Sequence, residues 1–455
     1  MLSQKSSFNL ILLLAIAAFL IPTIWIERAV LQSTRGAIAY PLDDSFLQMT
    51  IAKNLAFDHV WGITKYSFIS ASTSPLYTLL LAIVFLVTGA YPIVPLLLNG
   101  LVAILFLRAM QRWLIRRGLS AIRQLLILLA VNFLLPLPLL VISGMEYTLQ
   151  LFFSFLFIKN FSEAAGKVPP RKVYIYGVLM ITTSYVTLPI LLIACVILLT
   201  RRQWWEAFKL FFLSLLPIYL FGLFALNKHN YFVPNPLLLT WGLPSLNNIW
   251  QDLSLFLTIA LLFFLILGTL PQQRWRILRQ KLQRSWLVYP LLLLAIPIGL
   301  RAFKGFSHAA PACVSFYNQQ YQAAKFLRSY YYNDRVASNN IGAVSFCSEH
   351  ERVMDLAGIG DLEILKNIRA HSWTPALADS FAERSNVKVA VLHDTWSDKD
   401  TDPYWYKIAS WHTTNDSVSF YSINWGGVTQ LQKTLHAFEP RLPAGVTVRY
   451  YPATR

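Results

Sequence analysis

Charge is scarce in this chain. Only 13% of its 455 residues are charged and 56% are hydrophobic, whereas a soluble domain carries roughly a quarter charged residues. That excludes an ordinary soluble enzyme. Acids are the scarcer sign, with 22 Asp and Glu against 39 Lys and Arg. Cysteine is almost absent. Three residues, Cys195, Cys313 and Cys347, cannot build a disulfide-rich scaffold, and no Cys or His has metal-ligand spacing. Internal repeats, low-complexity tracts and a legible nucleotide-binding fold are also missing.

What is present is a series of apolar runs of roughly 15–25 residues, the signature of a polytopic membrane protein. A net charge of +17 would ordinarily raise nucleic acid as a partner. The placement of the bases excludes it. Lys5 and four clusters (108–123, 159–172, 201–209 and 274–284) interrupt the apolar runs with 18 bases and two acids, Glu163 and Glu206. They read as cytoplasmic loops under the positive-inside rule.

Charge parity then threads the chain. An uncleaved first span over 8–26 runs outward, and residues 30–75 form an outer loop. The short run 76–89 is a re-entrant or juxtamembrane helix, because a full crossing would place the bases of 108–123 outside. Spans follow at 93–112, 121–142 and 147–162. Two short helices within 172–200 turn near Ser184 to Pro189. Further spans lie at 206–226, 251–270 and 286–301. The fold class expected is a polytopic α-helical membrane protein of about nine spans plus a juxtamembrane helix, 1–301. Composition changes at residue 302. The tail, 302–455, holds 14 of the 22 acids and mixes helical and β-branched segments. It predicts a soluble α/β domain on the extracytoplasmic side. Cys313 and Cys347 there form either one disulfide or two buried thiols.

Six of the eight acids in residues 1–301 map to the outer face: Glu27, Asp43, Asp44, Asp58, Glu146 and Asp252. Carboxylates near bilayer depth are costly, about 2.5–3.5 kcal/mol at a helix centre, so a use is expected. Asp43 and Asp44 precede a helical pattern reaching about Ala56, and Asp-Asp-Ser is also an ordinary helix start. Glu146 opens a span, and Ser143 with Glu146 has capping-box spacing. In the outer loop 227–250, Lys228 and His229 suit an anionic headgroup, and Asn235 lies between two prolines that brace a turn. Arg301, Lys304 and His308 are further outer-face bases, as is Lys53. Asp398, Asp400 and Asp402 alternate in the tail, where a solvated turn accounts for them.

Several segments, taken in order, resemble the bacterial GT-C glycosyltransferases. They are the acidic pair with Asn54-Leu55 after it, Ser72 to Tyr77 (STSPLY), Ser143 to Glu146 (SGME), and Tyr231 to Asn235 (YFVPN). In the tail they are Asn339 to Phe346 with Val353 to Asp361, similar to the family's strand–turn–strand. The closest flavour is the polyprenyl-phosphate-sugar-dependent group that includes arabinofuranosyl and mannosyl transferases. Thr50 stands where that family has an arginine.

The resemblance implies a polyprenyl-phosphate sugar donor in the lipid bilayer and a glycan, lipid or protein acceptor. Transfer would occur on the outer face of a bacterial inner membrane and invert the anomeric centre. Asp43 or Asp44 is expected as the general base. The other carboxylate and Glu146 would contact acceptor or metal, a divalent cation (Mg or Mn) being one way to stabilise the leaving phosphate. Asn54, Asn235, Lys228, His229, Arg301, Lys304 and His308 are candidate substrate contacts. The rival is a transporter or flippase for a lipid-linked saccharide. It needs polar groups at mid-membrane, where this sequence has almost none. A non-catalytic scaffold is the third reading.

Overall fold

The computed structural model describes residues 2–164, 167–239, 259, 261, 288–347, 353–393, 404–413 and 416–452. The N-terminal helical half, called the membrane half below for its three helices long and apolar enough to span, opens with α1 (Leu2–Ser33), followed by α2 (Asp43–Asp58) and α3 (Pro75–Thr88). Next come α4 (Val94–Arg116), α5 (Ala121–Leu134), α6 (Leu137–Ile142) and α7 (Tyr147–Glu163). Then follow α8 (Arg171–Thr183), α9 (Leu188–Thr200), α10 (Trp204–Asn227) and the short α11 (Asn235–Leu239).

Proline sets several starts. Pro75, Pro95, Pro138 and Pro189 occupy first-turn positions, where a missing N–H removes no helical bond. Gly89, at φ 86°, ends α3.

Three stretches, Asn9–Ser33, Val94–Arg116 and Trp204–Asn227, are long and apolar enough to cross a membrane. Their outer surfaces and that of α3 are greasy; Val87 is 85% exposed and Ile21 68%. Such faces suit lipid and not water. Trp204 and Trp205 stand exposed beside Arg201 and Arg202, an interfacial pattern of aromatics next to bases.

The two short helices expected within 172–200 are α8 and α9, joined by a 3-10 turn at Tyr185–Thr187. The run 121–142 breaks at Leu135–Pro136 into α5 and α6. Most of the expected span 251–270 lies outside the described residues, as do Asp252 and the aspartates at 398, 400 and 402.

The tail begins without a break. Helix α12 (Val288–Phe316) runs straight through residue 302, continues as a π segment (Tyr317–Tyr321), and resumes as α13 (Gln322–Tyr330). The composition changes at 302 while the helix goes on. Residue polarity follows the surroundings of a helix and does not mark its end.

Strand β1 (Arg335–Ser338) leads into α14 (Gly342–Cys347) and β2 (Val353–Asp355). Helices α15 (Leu362–Arg369) and α16 (Pro375–Arg384) precede β3 (Val387–His393), β4 (Tyr406–His412) and β5 (Ser417–Ser422). Helix α17 (Val428–Phe438) and β6 (Thr447–Tyr450) close the chain. The six strands form one mixed sheet in the order β2-β1-β3-β5-β4-β6. Strand β1 pairs parallel with β2 and β3; the remaining pairs are antiparallel.

One sequence reading is corrected here, and one open alternative is decided. Asn339 to Phe346 is a loop and a helix, not a strand; the amides of Gly342 and Ala343, which open that helix, bond the Asp43 carboxylate of α2. Cys313 and Cys347 are free thiols, the first fully buried.

One apolar cluster spans both halves. Phe46 of α2 stacks on Phe316 with ring centres 5.1 Å apart. The same cluster continues through Phe326, Trp411, Phe420 and Phe438 around the sheet. Phe326 meets the other three rings edge-on within 6.0 Å. Truncating it, Phe326→Ala, is expected to cost about 3–5 kcal/mol. Thermal unfolding in detergent would register this as a large drop in Tm, and a change within error would contradict the packing described.

Candidate functional site

Helix α2 starts abruptly. Leu42 is extended (φ −127°, ψ 136°), and no side chain caps the helix's own first turn. The expected Asp-Asp-Ser cap is therefore not formed. The Asp43 carboxylate reaches across to the tail. It accepts the backbone N–H of Gly342 at 2.5 Å and of Ala343 at 2.8 Å, the first two residues of α14. The Asn340 amide, oriented to satisfy its neighbours, also donates to it.

Gly342 must be glycine, since a Cβ there would sit 2.2 Å from the Asp43 carbonyl oxygen. Asp355, at the end of β2, does a similar job locally by accepting from Ala357 and Gly360. Burial pushes the carboxyls of Asp43 and Asp355 up to about 7, the amide hydrogen bonds opposing it only in part.

Beside this contact lies a cleft of about 340 Å³ between the two halves. Asp43, Asp44 and His308 line it from the membrane half and the end of α12. Gln319, Gln320, Asn340, His393 and Asp416 line it from the tail. Asp44 is the uncommitted acid: it makes no hydrogen bond or ion pair among the described residues, and solvent reaches it. The surrounding protein strips part of its hydration and raises its pKa.

Opposite, the buried His393 directs Nε2 at Gln319 Oε1 (2.9 Å) and Asp416 Oδ2 (2.9 Å). Two acceptors at one ring nitrogen place a proton on Nε2. The backbone of His393 is in turn held by Asn339 through bonds of 2.9 and 3.1 Å. His393 ends β3, and Asn339 follows β1, its parallel neighbour. The cleft therefore opens at the carboxyl ends of parallel strands, where α/β sheets commonly place ligands.

The other expected site residues are elsewhere. Glu146 is buried at the N-cap position of α7, within electrostatic reach of Tyr77, and does not line the cleft. Its capping box with Ser143 does not form: the N-cap position is Glu146 itself, and Ser143 Oγ accepts the Met145 N–H at 3.3 Å while donating to the Leu140 carbonyl at 2.7 Å. Asn54 donates to the carbonyls of Gly62 and Ile63, both at 2.9 Å, and so ties down the loop after α2.

Asn235 donates to Ile359 at 2.9 Å, and its N–H bonds Ser70 at 2.8 Å. Lys228, over the Phe224 ring, and His229, at φ 58°, are exposed at the end of α10. Arg301 and Lys304 lie on α12 away from the cleft lining, and of that helix's bases only His308 reaches it. Asp43, Asp44 and Glu146 are not arranged around one ion, and no group of three His, Cys, Asp or Glu is so placed among the described residues.

Most of the motif segments converge on α2 nonetheless. Ser45 donates to Ser143 at 2.6 Å, and Gln48 accepts from Ser72 and Thr78 at 3.0 and 2.7 Å. With the Asp43–Gly342 contact, these tie three distant segments to one helix. The sequence reading missed His393 and Asp416. The one available signal was a histidine closing the strand VKVAVLH.

A family model described as Domain of unknown function (DUF8728) matches residues 310–421, a span that includes every tail residue named in the cleft. No curated protein and no solved structure matches the chain.

Two outcomes follow from the Asp43 contact. Gly342→Ala forces a backbone clash and is expected to destabilise by about 1–3 kcal/mol or more, read as a lower Tm and faster proteolytic release of the tail. The raised carboxyls of Asp43 and Asp355 hold protons that the unfolded chain gives up above pH 3.8. Stability should therefore fall as pH rises from about 4 to about 7. A Tm higher at pH 5 than at pH 8, with a smaller difference in Asp43→Asn, is the expected result; a rise with pH would contradict it.

Proposed function

We propose that the chain is a membrane glycosyltransferase that moves a monosaccharide from a polyprenyl-phosphate donor to an acceptor hydroxyl. In this reading it is a GT-C-type enzyme of about nine spans in a bacterial inner membrane, with the tail and the cleft on the outer side. The observation that carries the reading is Asp44. It is an acid without an internal partner, with a raised pKa, on a cleft of small-molecule size (about 300–1,000 Å³ is usual). The cleft lies between the lipid-facing half and the soluble one, where a lipid-borne donor and a water-borne acceptor can meet. The ordered motifs that resemble the family support it independently.

Asp44 acts as general base. It takes the proton of the acceptor hydroxyl while that oxygen forms its bond to the anomeric carbon. The bond from that carbon to the donor phosphate oxygen breaks, and polyprenyl phosphate departs. One displacement inverts the centre. A raised pKa suits the base, since proton transfer is most effective when the pKa approaches the working pH.

His308, on the cleft wall, supplies positive charge to the leaving phosphate when protonated. His393 positions Asp416 and Gln319 to hold sugar or acceptor hydroxyls. Asp43 acts through position alone, its oxygens being occupied by the tail's amides. Glu146 supports Tyr77 and the SGME turn.

The test is transfer from a lipid-linked donor by purified variants in nanodiscs. Asp44→Asn should lower kcat by about 10²–10⁴ with Tm unchanged. Glu146→Gln should lose stability before it loses turnover. Full turnover by Asp44→Asn would end the assignment of the base and return the choice to a carrier or a scaffold.

A further inference from the structure

A second cavity, of about 350 Å³, lies against the other side of the π segment. Four cations line it, Arg35, Lys325, Arg328 and Arg441, and no acid does. Among the described residues none of the four forms an ion pair. Gln319 and Gln320 of the π segment face the cleft, whereas Tyr317 and the following Gln322 and Lys325 face this pocket. The two sites thus lie on different faces of one helical segment.

The chain holds these charges together at a cost. Arg35 follows the end of α1 in a left-handed conformation (φ 56°). It donates from Nη1 and Nη2 to the carbonyls of Arg441 and Leu442, both at 3.1 Å. That fixes its plane and leaves further N–H donors of the five in its fork. The Lys325 ammonium lies 4.8 Å from the Tyr321 ring centre and 5.4 Å from that of Tyr317. Partial burial and the nearby Arg35 lower its pKa. Arg35, Arg328 and Arg441 are exposed and Lys325 is half-buried, so an anion entering the cavity would meet four positive charges.

We propose that this pocket binds a phosphate group, Arg35 and Arg328 gripping its oxygens through paired N–H donors and Lys325 adding a point charge. Guanidinium forks match phosphate geometry, and lysine complements them. The location suits a phosphate at the bilayer surface. Arg35 is two residues beyond Ser33, where the apolar stretch Asn9–Ser33 ends. A lipid headgroup phosphate and a soluble phosphate share this chemistry. The inference does not rest on the transferase reading, since none of the four cations lines the cleft.

The experiment uses the full-length protein, with a variant carrying Lys325→Gln and Arg328→Gln. Arg35 is left intact because it also ties α1 to the tail. In one arm, delipidated protein in nonionic detergent is titrated with inorganic phosphate and pyrophosphate, at ionic strength matched with chloride. In the other, native mass spectrometry compares lipid retained from phosphatidylglycerol and from phosphatidylcholine nanodiscs.

Wild type should bind in at least one arm, and the variant should bind about tenfold more weakly or worse. Binding in the first arm identifies soluble phosphate as a ligand. Selective retention of phosphatidylglycerol identifies the headgroup. If the double variant has a lowered Tm, Lys325→Arg should retain binding where Lys325→Gln loses it. Equal binding by wild type and variants, or no preference over chloride and phosphatidylcholine, overturns the proposal.

Discussion

The Asp43 carboxylate is the contact on which the arrangement of the two halves depends. It belongs to the membrane half by sequence, yet its partners are amides of the tail, about 300 residues away. Removing a carboxylate from water is expensive, and the cost is offset only where N–H donors meet it. Gly342 and Ala343 supply them because α14 starts there with its first amides free. The glycine is needed for the approach, and Phe46 on Phe316 fixes the same contact from the apolar side. With α2 held against α14, Asp44 is left facing outward over the ends of β1 and β3.

Several residues in α2 and in the segments around it hold the fold together. Asn54, Asn235, Ser72 and Gly342 are each engaged in holding a loop or a neighbouring element. Of the groups with chemistry to offer, Asp44 belongs to the first of the segments that resemble known transferases, and the His393–Asp416 pair lies outside them.

The helix from Val288 to Tyr330 links the two sites. Its π segment inserts an extra residue into the turn, a feature often found at functional positions. On one side it presents glutamines to an acidic, histidine-bearing cleft, and on the other a tyrosine and a lysine to a cluster of cations. Groups of opposite charge thus lie on opposite faces of one element.

The sequence by itself determined the helices. Apolar runs bounded by proline, glycine and arginine place α3, α4, α7, α8, α9 and α10 within a few residues, because burial in an apolar layer is a local property of composition. It also determined that acids are rare and that the tail mixes helix and strand. Only the tertiary structure decided which acid is committed. Asp43 and Asp44 are chemically identical neighbours, and Glu146 looks equivalent to either. What separates them is whether a backbone amide from a distant element, open water or buried neighbours meet the carboxylate. The four bases of the second pocket come together for the same reason. Their convergence is set by how α1, α13 and the turn after α17 pack, and no spacing along the chain encodes it.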